Sequence, residues 1–426
     1  MAGFVKVSPF APSSLPDMPV IPGARFAAAA AGLKYKDRTD VMLAELAPGT
    51  IAAGVLTRSK TCSAPVLWCR DQLAHGAARA VVVNAGNANA FTGKAGADAV
   101  EMTADAAAAA TGCQPREVYI ASTGVIGEPM DASAFAGLLK DMAPNVQESA
   151  WEDAARAIMT TDTYPKLASA TATIDGNDVH VAGIVKGSGM IAPDMATMLG
   201  FIFTNANIAL PLLQTLTREI ADRTFNCITV DSDTSTSDTV LVFATGGADG
   251  VPPSAQITDA ASPGAKAFAA ALHDVMLDLA QQVVRDGEGL SKFVEIEVTG
   301  AEDDRAAHRI AMAMANSPIL KAALAGEDPN WGRVVMAVGK AGEAADRDKL
   351  KIEFGDILVA ENGLRAPGYA EEMGATYMKN AELRIAVDVG IGAGRATVWT
   401  CDPPHDHTTP NTKHRKQRDP PVDAEL

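Results

Sequence analysis

The chain has 426 residues, with 36 Lys and Arg against 52 Asp and Glu, which gives a formal net charge of -16. This length predicts two or three α/β lobes built around large apolar cores. The negative charge argues against nucleic acid as a partner, because phosphate backbones are repelled. Any anionic substrate must therefore be held by a local basic group.

The cysteines are odd in number and scattered, without the CxxC spacing of zinc or redox sites, so reduced thiols are predicted. No apolar run approaches the ~20 residues of a membrane helix, and the N-terminus lacks the basic-then-apolar order of a signal peptide. A cytoplasmic protein is therefore expected. The cysteines are Cys62, Cys69, Cys113, Cys227 and Cys401.

Two buried strands with glycine-containing ends are predicted in the first third of the chain. The apolar run 81–83 indicates a strand that stops at the Asn- and Gly-rich segment 84–89. An alanine-rich helix is expected over roughly 94–110. Residues 118–120 then predict a second strand that runs into Ser122-Thr123-Gly124.

Asp175-Gly176 predicts a β-hairpin, because Gly tolerates the positive φ that a two-residue turn needs. The strands on either side cover 170–174 and 179–185, and the second ends at Lys186.

Ser262-Pro263 predicts the start of a long amphipathic helix. Gly287 should end that helix and leave Glu288 exposed. A second, smaller α/β lobe is expected at about 293–400, with helical stretches near 306–325, followed by an irregular tail over 402–426.

The segment from Lys186 to Gly200 combines a basic residue, glycines, a proline and a hydroxyl. Ala196-Thr197 has the small residue and the hydroxyl that backbone self-cleavage needs. Once released, the Thr197 α-amine can act as general base for its own hydroxyl. A plain glycine turn joining two strands explains the same residues, so both interpretations remain open on spacing alone.

Several motifs resemble those of the ornithine acetyltransferase family, also called glutamate N-acetyltransferase, of arginine biosynthesis. The resemblance extends from the N-terminus to about residue 402 and follows the family order. The segments that carry it are 83–90, 122–127, 159–163, 186–200, 231–236 and 327–333.

The resemblance implies a layered α-β-β-α sandwich like that of N-terminal-nucleophile hydrolases. Cleavage between Ala196 and Thr197 would give an α chain, 1–196, and a β chain, 197–426, which would pair as α2β2. Thr197 would be the nucleophile, while Thr123 and Gly124 would stabilise the oxyanion. No cofactor is implied, and acetyl-CoA as a second acetyl donor stays open.

The same resemblance assigns substrate-binding roles to Thr160, Lys186, Thr197, Glu288 and Asn411. Lys186 would meet a carboxylate and Glu288 an ammonium group. Thr160 is favoured over its neighbour Thr161. Lys416 stands where the family has a hydroxyl residue, so closure of the tail over the pocket is left open.

The predicted reaction transfers acetyl from N2-acetyl-L-ornithine to L-glutamate through acetyl-Thr197. A self-cleaving aminopeptidase is the first alternative, because its nucleophile chemistry is the same. A small-molecule binding protein that has lost catalysis through its altered tail is the second.

Three further motifs predict no site. The glycines of 390–394 imitate a nucleotide-binding loop, but a strand rather than a helix is expected after them. The carboxylates from Asp231 onward lack the Gly and the closing Glu of a calcium loop. His405-Asp406-His407 is best explained as part of a proline-flanked surface tail.

Overall fold

The computed structural model describes residues 7–34, 38–192, 198–247 and 253–403. The chain divides into two compact units, Met1–Asp286 and Gly287–Leu426. Within the described residues, no helix is both long enough and apolar enough to span a membrane. The five cysteines are free thiols, as predicted.

The first unit contains two β-sheets. Its strands are β1 (Ala24–Ala29), β2 (Val41–Leu46), β3 (Ile51–Leu56), β4 (Ala80–Asn87), β5 (Val118–Val125), β6 (Lys166–Ile174), β7 (Asn177–Lys186), β8 (Leu199–Thr204), β9 (Ile228–Thr229) and β10 (Thr239–Ala244). One sheet has the order β1-β2-β4-β5, and the other has the order β3-β10-β8-β7-β6. The helices are α1 (Ala64–Leu73), α2 (Gly93–Thr111), α3 (Ser133–Met142), α4 (Trp151–Ile158), α5 (Leu210–Ala221) and α6 (Pro263–Arg285).

The two sheets of the first unit pack face to face. Phe26 and Tyr119 of the first sheet meet Phe203 and Phe243 of the second in one aromatic core. Helices α2 and α3 cover the outer face of the first sheet, and α6 packs against β6 and β7 of the second. This arrangement is the predicted α-β-β-α sandwich.

Helix α6 follows from its sequence signals. The Ser262 hydroxyl accepts the backbone N–H of Ala265 and caps the helix, and Pro263 occupies the first turn. The apolar stripe is buried, and each such side chain is worth about 1.5–3 kcal/mol. Its members are Phe268, Leu272, Val275, Met276, Leu279 and Val283.

The predicted hairpin is also confirmed. Strands β6 and β7 pair antiparallel, and both turn residues, Asp175 and Gly176, have positive φ. Lys186 is the last residue of β7.

The second unit is smaller and also mixes helices with strands. Its strands are β11 (Phe293–Ala301), β12 (Lys351–Phe354), β13 (Ile357–Glu361), β14 (Leu364–Arg365), β15 (Glu382–Asp388) and β16 (Gly394–Cys401). They follow the order β14-β13-β12-β15-β11-β16. Its helices are α7 (Asp304–Ala315), α8 (Pro318–Ala325), α9 (Trp331–Lys340) and α10 (Glu371–Tyr377).

Helices α7 and α8 are the helical stretches predicted near 306–325, and they are separate because Ser317 caps α8 and Pro318 begins it. Strand β5 runs into Ser122-Thr123-Gly124, as predicted, and ends at Val125. The strand that follows the 390–394 glycines, β16, agrees with the rejection of a nucleotide-binding loop there.

Candidate active site

The C-terminal ends of β4 and β5 lie side by side, because these two strands are parallel neighbours. Gly86 and Gly124 are paired, and both have positive φ, +105° and +132°. A Cβ atom at Gly124 would lie 2.2 Å from the carbonyl carbon of Gly86. Only glycine permits this approach, so Thr123 is fixed where the two backbones nearly touch.

Asparagine side chains hold the end of this sheet. The Ser122 hydroxyl donates to Asn84 Oδ1 at 2.6 Å, and Asn84 Nδ2 donates to the carbonyl of Asn87 at 2.8 Å. The Asn87 amide oxygen in turn accepts the N–H of Asn89 at 2.8 Å. Buried side chains thus satisfy the polar groups of the loop, which makes the site at Thr123 rigid.

Lys186 reaches Thr123 from the other sheet. Its ammonium Nζ donates to Thr123 Oγ1 at 3.0 Å, although the residues are 63 positions apart. An ammonium group cannot accept, so the Thr123 hydroxyl hydrogen is directed elsewhere. Thr123 is therefore arranged to donate a hydrogen bond, which is what stabilisation of an oxyanion requires.

Three charged side chains near Lys186 form a cluster that is fully buried from solvent. Lys166 Nζ is 2.6 Å from Asp162 Oδ1 and 2.6 Å from Asp286 Oδ2. Asp286 also accepts the backbone N–H and the hydroxyl of Thr163, at 2.8 and 2.5 Å. We refer to Asp162, Lys166 and Asp286 as the buried triad.

The two carboxylates of the buried triad are in different electrostatic environments. Burial alone would raise the pKa of Asp162, but attraction to Lys166 and Lys186 together with hydrogen bonds lowers it well below its usual range. Burial is the largest influence on Asp286 and raises its pKa despite the contact with Lys166. Asp162 is thus the more firmly ionised carboxylate.

The loop after Lys186 is anchored to this cluster. Gly187 N–H donates to Asp162 Oδ1 at 2.7 Å, and the Ser188 hydroxyl donates to the carbonyl of Asp286 at 2.6 Å. Further along, the backbone N–H groups of Met190 and Ile191 donate to the Asp231 carboxylate. The chain is therefore held from residue 187 to residue 191.

The Asp231 carboxylate organises the backbone around it. It accepts backbone N–H groups, including its own loop's Asp233 N–H at 3.1 Å. Among the residues that the structure describes, no group of three or more His, Cys, Asp or Glu is arranged to hold a metal ion.

The structure brings some of the predicted site residues together. Lys186 contacts Thr123, which precedes Gly124 in β5, and Thr160 is tied to the same loop, because its backbone N–H donates to Asp162 Oδ2 at 3.0 Å. Thr160 is half-buried and Thr161 is exposed.

The remaining predicted site residues are Ala196, Thr197, Glu288 and Asn411. Glu288 is half-buried in the second unit, just past the end of α6. Ala196, Thr197 and Asn411 lie outside the described residues.

The sequence alone did not indicate Lys166 or Asp286, and Asp162 stood out only as part of the segment 159–163. Asp286 is 120 positions from Lys166, so no local spacing indicates the pair. One signal was present, because Lys166 shares a strand face with Ala168, Ala172 and Ile174, and a lysine among apolar residues is seldom buried without a carboxylate partner.

Comparison with known proteins gives consistent results. The ArgJ family profile matches residues 25–416. The curated arginine biosynthesis bifunctional protein ArgJ of Agrobacterium fabrum is 56% identical over 413 residues, covering 96% of this chain and 99% of the relative. The protein of the same name from Brucella suis biovar 1 is 57% identical over 412 residues, with the same coverage of both chains.

Two solved structures were also found. The arginine biosynthesis bifunctional protein argJ of Bacillus halodurans is 37% identical, with a TM-score of 0.48, over 51% of this chain and 100% of that one. The ornithine acetyltransferase of Mycobacterium tuberculosis, complexed with ornithine, is 36% identical, with a TM-score of 0.39, over 42% of this chain and 93% of that one.

Proposed function

Because this chain belongs to the ArgJ family, we propose that it cleaves its own backbone between Ala196 and Thr197 and then carries acetyl on Thr197. The chain is an acetyltransferase of arginine biosynthesis. The reaction takes acetyl from N2-acetyl-L-ornithine and delivers it to L-glutamate. The curated relatives are called bifunctional, and acetyl-CoA as a second acetyl donor is part of this proposal.

The observation that carries the proposal is the 3.0 Å contact from Lys186 Nζ to Thr123 Oγ1. A cation that holds a threonine hydroxyl as acceptor leaves the hydroxyl hydrogen to stabilise negative charge on a substrate oxygen. Together with the N–H of Gly124, this hydrogen would form the oxyanion hole. Removing one donor of this kind costs about 10² to 10³ in rate.

The chemistry then needs only the residue released by cleavage. A free α-amine has a pKa of about 7.7–8.0, so a neutral fraction of Thr197 amine can accept the proton of its own hydroxyl. The alkoxide oxygen attacks the acetyl carbonyl, the amide C–N bond breaks, and ornithine leaves with the proton. The amine of glutamate then attacks the acetyl ester, which transfers acetyl and restores the Thr197 hydroxyl.

The amino-acid pocket in this proposal uses both charges of the substrates. Lys186 holds a carboxylate, Glu288 holds an ammonium group, and Thr160 and Asn411 contribute polar contacts. The Lys186 ammonium is the local basic group that the net charge of -16 requires for an anionic substrate. We further propose that the α and β chains stay together, pair as α2β2, and act in the cytoplasm.

Mass spectrometry of the freshly purified protein tests the proposal. We expect two fragments that begin at residues 1 and 197, and after incubation with acetylornithine we expect one acetyl group on the C-terminal fragment. Thr197→Ala should give a single uncleaved chain. Thr215→Ala, which changes an exposed threonine of α5, is the matched control and should cleave like the wild type.

The alternatives give different results. An aminopeptidase would cleave itself and release acetate or an amino acid to water without any dependence on glutamate. A binding protein would remain one chain. Cleavage in Thr197→Ala, or an acetyl adduct on the N-terminal fragment alone, would contradict the proposed nucleophile.

A further inference from the structure

We propose that Asp162 is a positioning residue that fixes two parts of the substrate pocket at once, the backbone at Thr160 and the loop that follows Lys186. This inference rests on the proposed function of the site. Asp162 Oδ1 accepts the Gly187 N–H at 2.7 Å, and Oδ2 accepts the Thr160 N–H at 3.0 Å. One side chain thus connects the two elements.

A carboxylate is required for this connection, because both of its oxygens are acceptors. An asparagine at position 162 would keep one oxygen and place an NH2 group against one of the two N–H donors. One backbone donor would then be buried without a partner. Either Gly187, next to Lys186, or the backbone of Thr160 would then lose the hydrogen bond that fixes its position.

The charge of Asp162 also acts on Lys186. The buried triad contains one cation and two carboxylates, so it has a formal charge of -1 when all three are ionised. Lys186 is one of the charges that lower the pKa of Asp162, and the attraction is mutual. The triad therefore holds the Lys186 ammonium in the site before a substrate carboxylate arrives.

Stability alone does not explain the buried triad. Removing charges from water is costly, and well-packed apolar side chains in the place of a buried ion pair are often as stable or more stable. The cluster has instead a geometric effect at one of its members, since the Asp162 carboxylate reaches both Thr160 and Gly187. Positioning of the pocket is the function that these contacts support.

Asp286 offers a matched control inside the same cluster. Asp162→Asn and Asp286→Asn each remove one negative charge, and each leaves Lys166 with one remaining carboxylate partner. Only Asp162 bonds to Gly187 and Thr160, whereas the Asp286 side chain bonds to Thr163. A purely structural role predicts similar effects on activity, and a positioning role predicts different ones.

The experiment compares the self-cleavage rate and the kinetics of acetylornithine and glutamate for both variants, well below their unfolding temperatures. Asp162→Asn should raise KM for both substrates by about 10-fold to 100-fold, the effect of losing a hydrogen bond to a charged group, while kcat changes much less. Its self-cleavage should also slow. Asp286→Asn should leave KM close to the wild-type value.

A second pair of variants applies if Asp162→Asn does not fold. Gly187→Pro removes the N–H that Asp162 accepts and leaves the triad intact, and Gly187→Ala controls for the added Cβ. Gly187→Pro should raise KM more than Gly187→Ala does. Equal KM values for Asp162→Asn and Asp286→Asn would overturn the inference. If Asp162→Asn is unfolded, equal KM values for the two Gly187 variants would overturn it.

These results are separable from failure of the proposed function. If the wild type neither cleaves itself nor transfers acetyl, the proposed function is wrong, and the inference about Asp162 falls with it. If the wild type does both and the two aspartate variants behave alike, only the inference about Asp162 is wrong.

Discussion

Each unit contains a cation between two carboxylates, and the two clusters differ mainly in burial. Lys166 lies between Asp162 and Asp286 with no exposure of any of the three side chains. Arg384 lies between Glu295 and Glu297 on the sheet of the second unit, and about a third or more of each side chain is exposed. The same combination of charges therefore experiences two different dielectric environments.

This difference predicts different contributions to the molecule. Water screens the Arg384 cluster, and such exposed pairs contribute ~0–1 kcal/mol. The buried triad cannot be screened, so each of its charges depends on its partners. The side chains of the exposed Arg384 cluster can therefore change with little effect on the fold, whereas the buried triad fixes the backbone around it. The following predictions test this comparison.

The largest effect is expected when the central cation of the buried triad is removed. Lys166→Met should destabilise the first unit by about 3–5 kcal/mol, because two carboxylates are left buried without their counter-ion. Urea unfolding followed by hydrogen exchange of first-unit peptides would measure it. A loss below 1 kcal/mol would mean that water reaches the cluster.

A slightly smaller effect, on rate rather than stability, is expected at the residue that Lys186 contacts. Thr123→Val keeps the shape of the side chain and removes the hydroxyl, so kcat should fall by about 10² to 10³. Single-turnover acetylation of Thr197 is the measurement. Wild-type acetylation by Thr123→Val would show that the hydroxyl does not stabilise the oxyanion.

A pH dependence is the next effect in size. The pKa of Asp162 is lowered on folding, so its stabilising contribution is present above its unfolded pKa of about 4 and is lost as pH falls. The pKa of Asp286 is raised on folding, so its pH dependence is the opposite. The stability that its protonated form contributes is present in acid and is lost as pH rises. Asp162→Asn should therefore be less stable than Asp286→Asn at pH 7, with the difference shrinking in acid.

Urea midpoints of both variants, followed through hydrogen exchange of the first unit between about pH 3 and pH 8, would measure this difference. A constant difference across this range would contradict the assigned directions.

The smallest effect is expected in the exposed cluster. Arg384→Met should change the stability of the second unit by ~1 kcal/mol or less, and high salt should remove the effect. Hydrogen exchange of peptides from β11 and β15, with and without salt, provides the measurement. A loss as large as that in Lys166→Met would remove the distinction between the two clusters.

Local signals were sufficient to predict much of the fold. Ser262-Pro263 and the apolar stripe gave the position of α6, and Asp175-Gly176 gave the hairpin, because both patterns depend on neighbouring residues. Local signals did not predict that Gly124 of β5 pairs with Gly86 of β4, because these two residues are remote in the sequence.

The candidate site was predictable only in part for the same reason. Thr123, Gly124 and Lys186 were selected through motifs, and the structure adds the contact between two of them. The buried triad was missed because its hydrogen bonds join distant segments and its lysine looks like an ordinary strand residue. The predictions for Thr197 and Asn411 remain predictions.

The pairing of Gly86 in β4 with Gly124 in β5 has a practical consequence for enzyme engineering. Position 86 meets no substrate in the proposed mechanism, yet any side chain there needs a backbone with φ near +105°, which L side chains rarely adopt. A mutational scan that selects for turnover should find this position as intolerant as those that touch the reacting atoms. Grafting the Thr-Gly strand onto another scaffold would require transferring its neighbour as well.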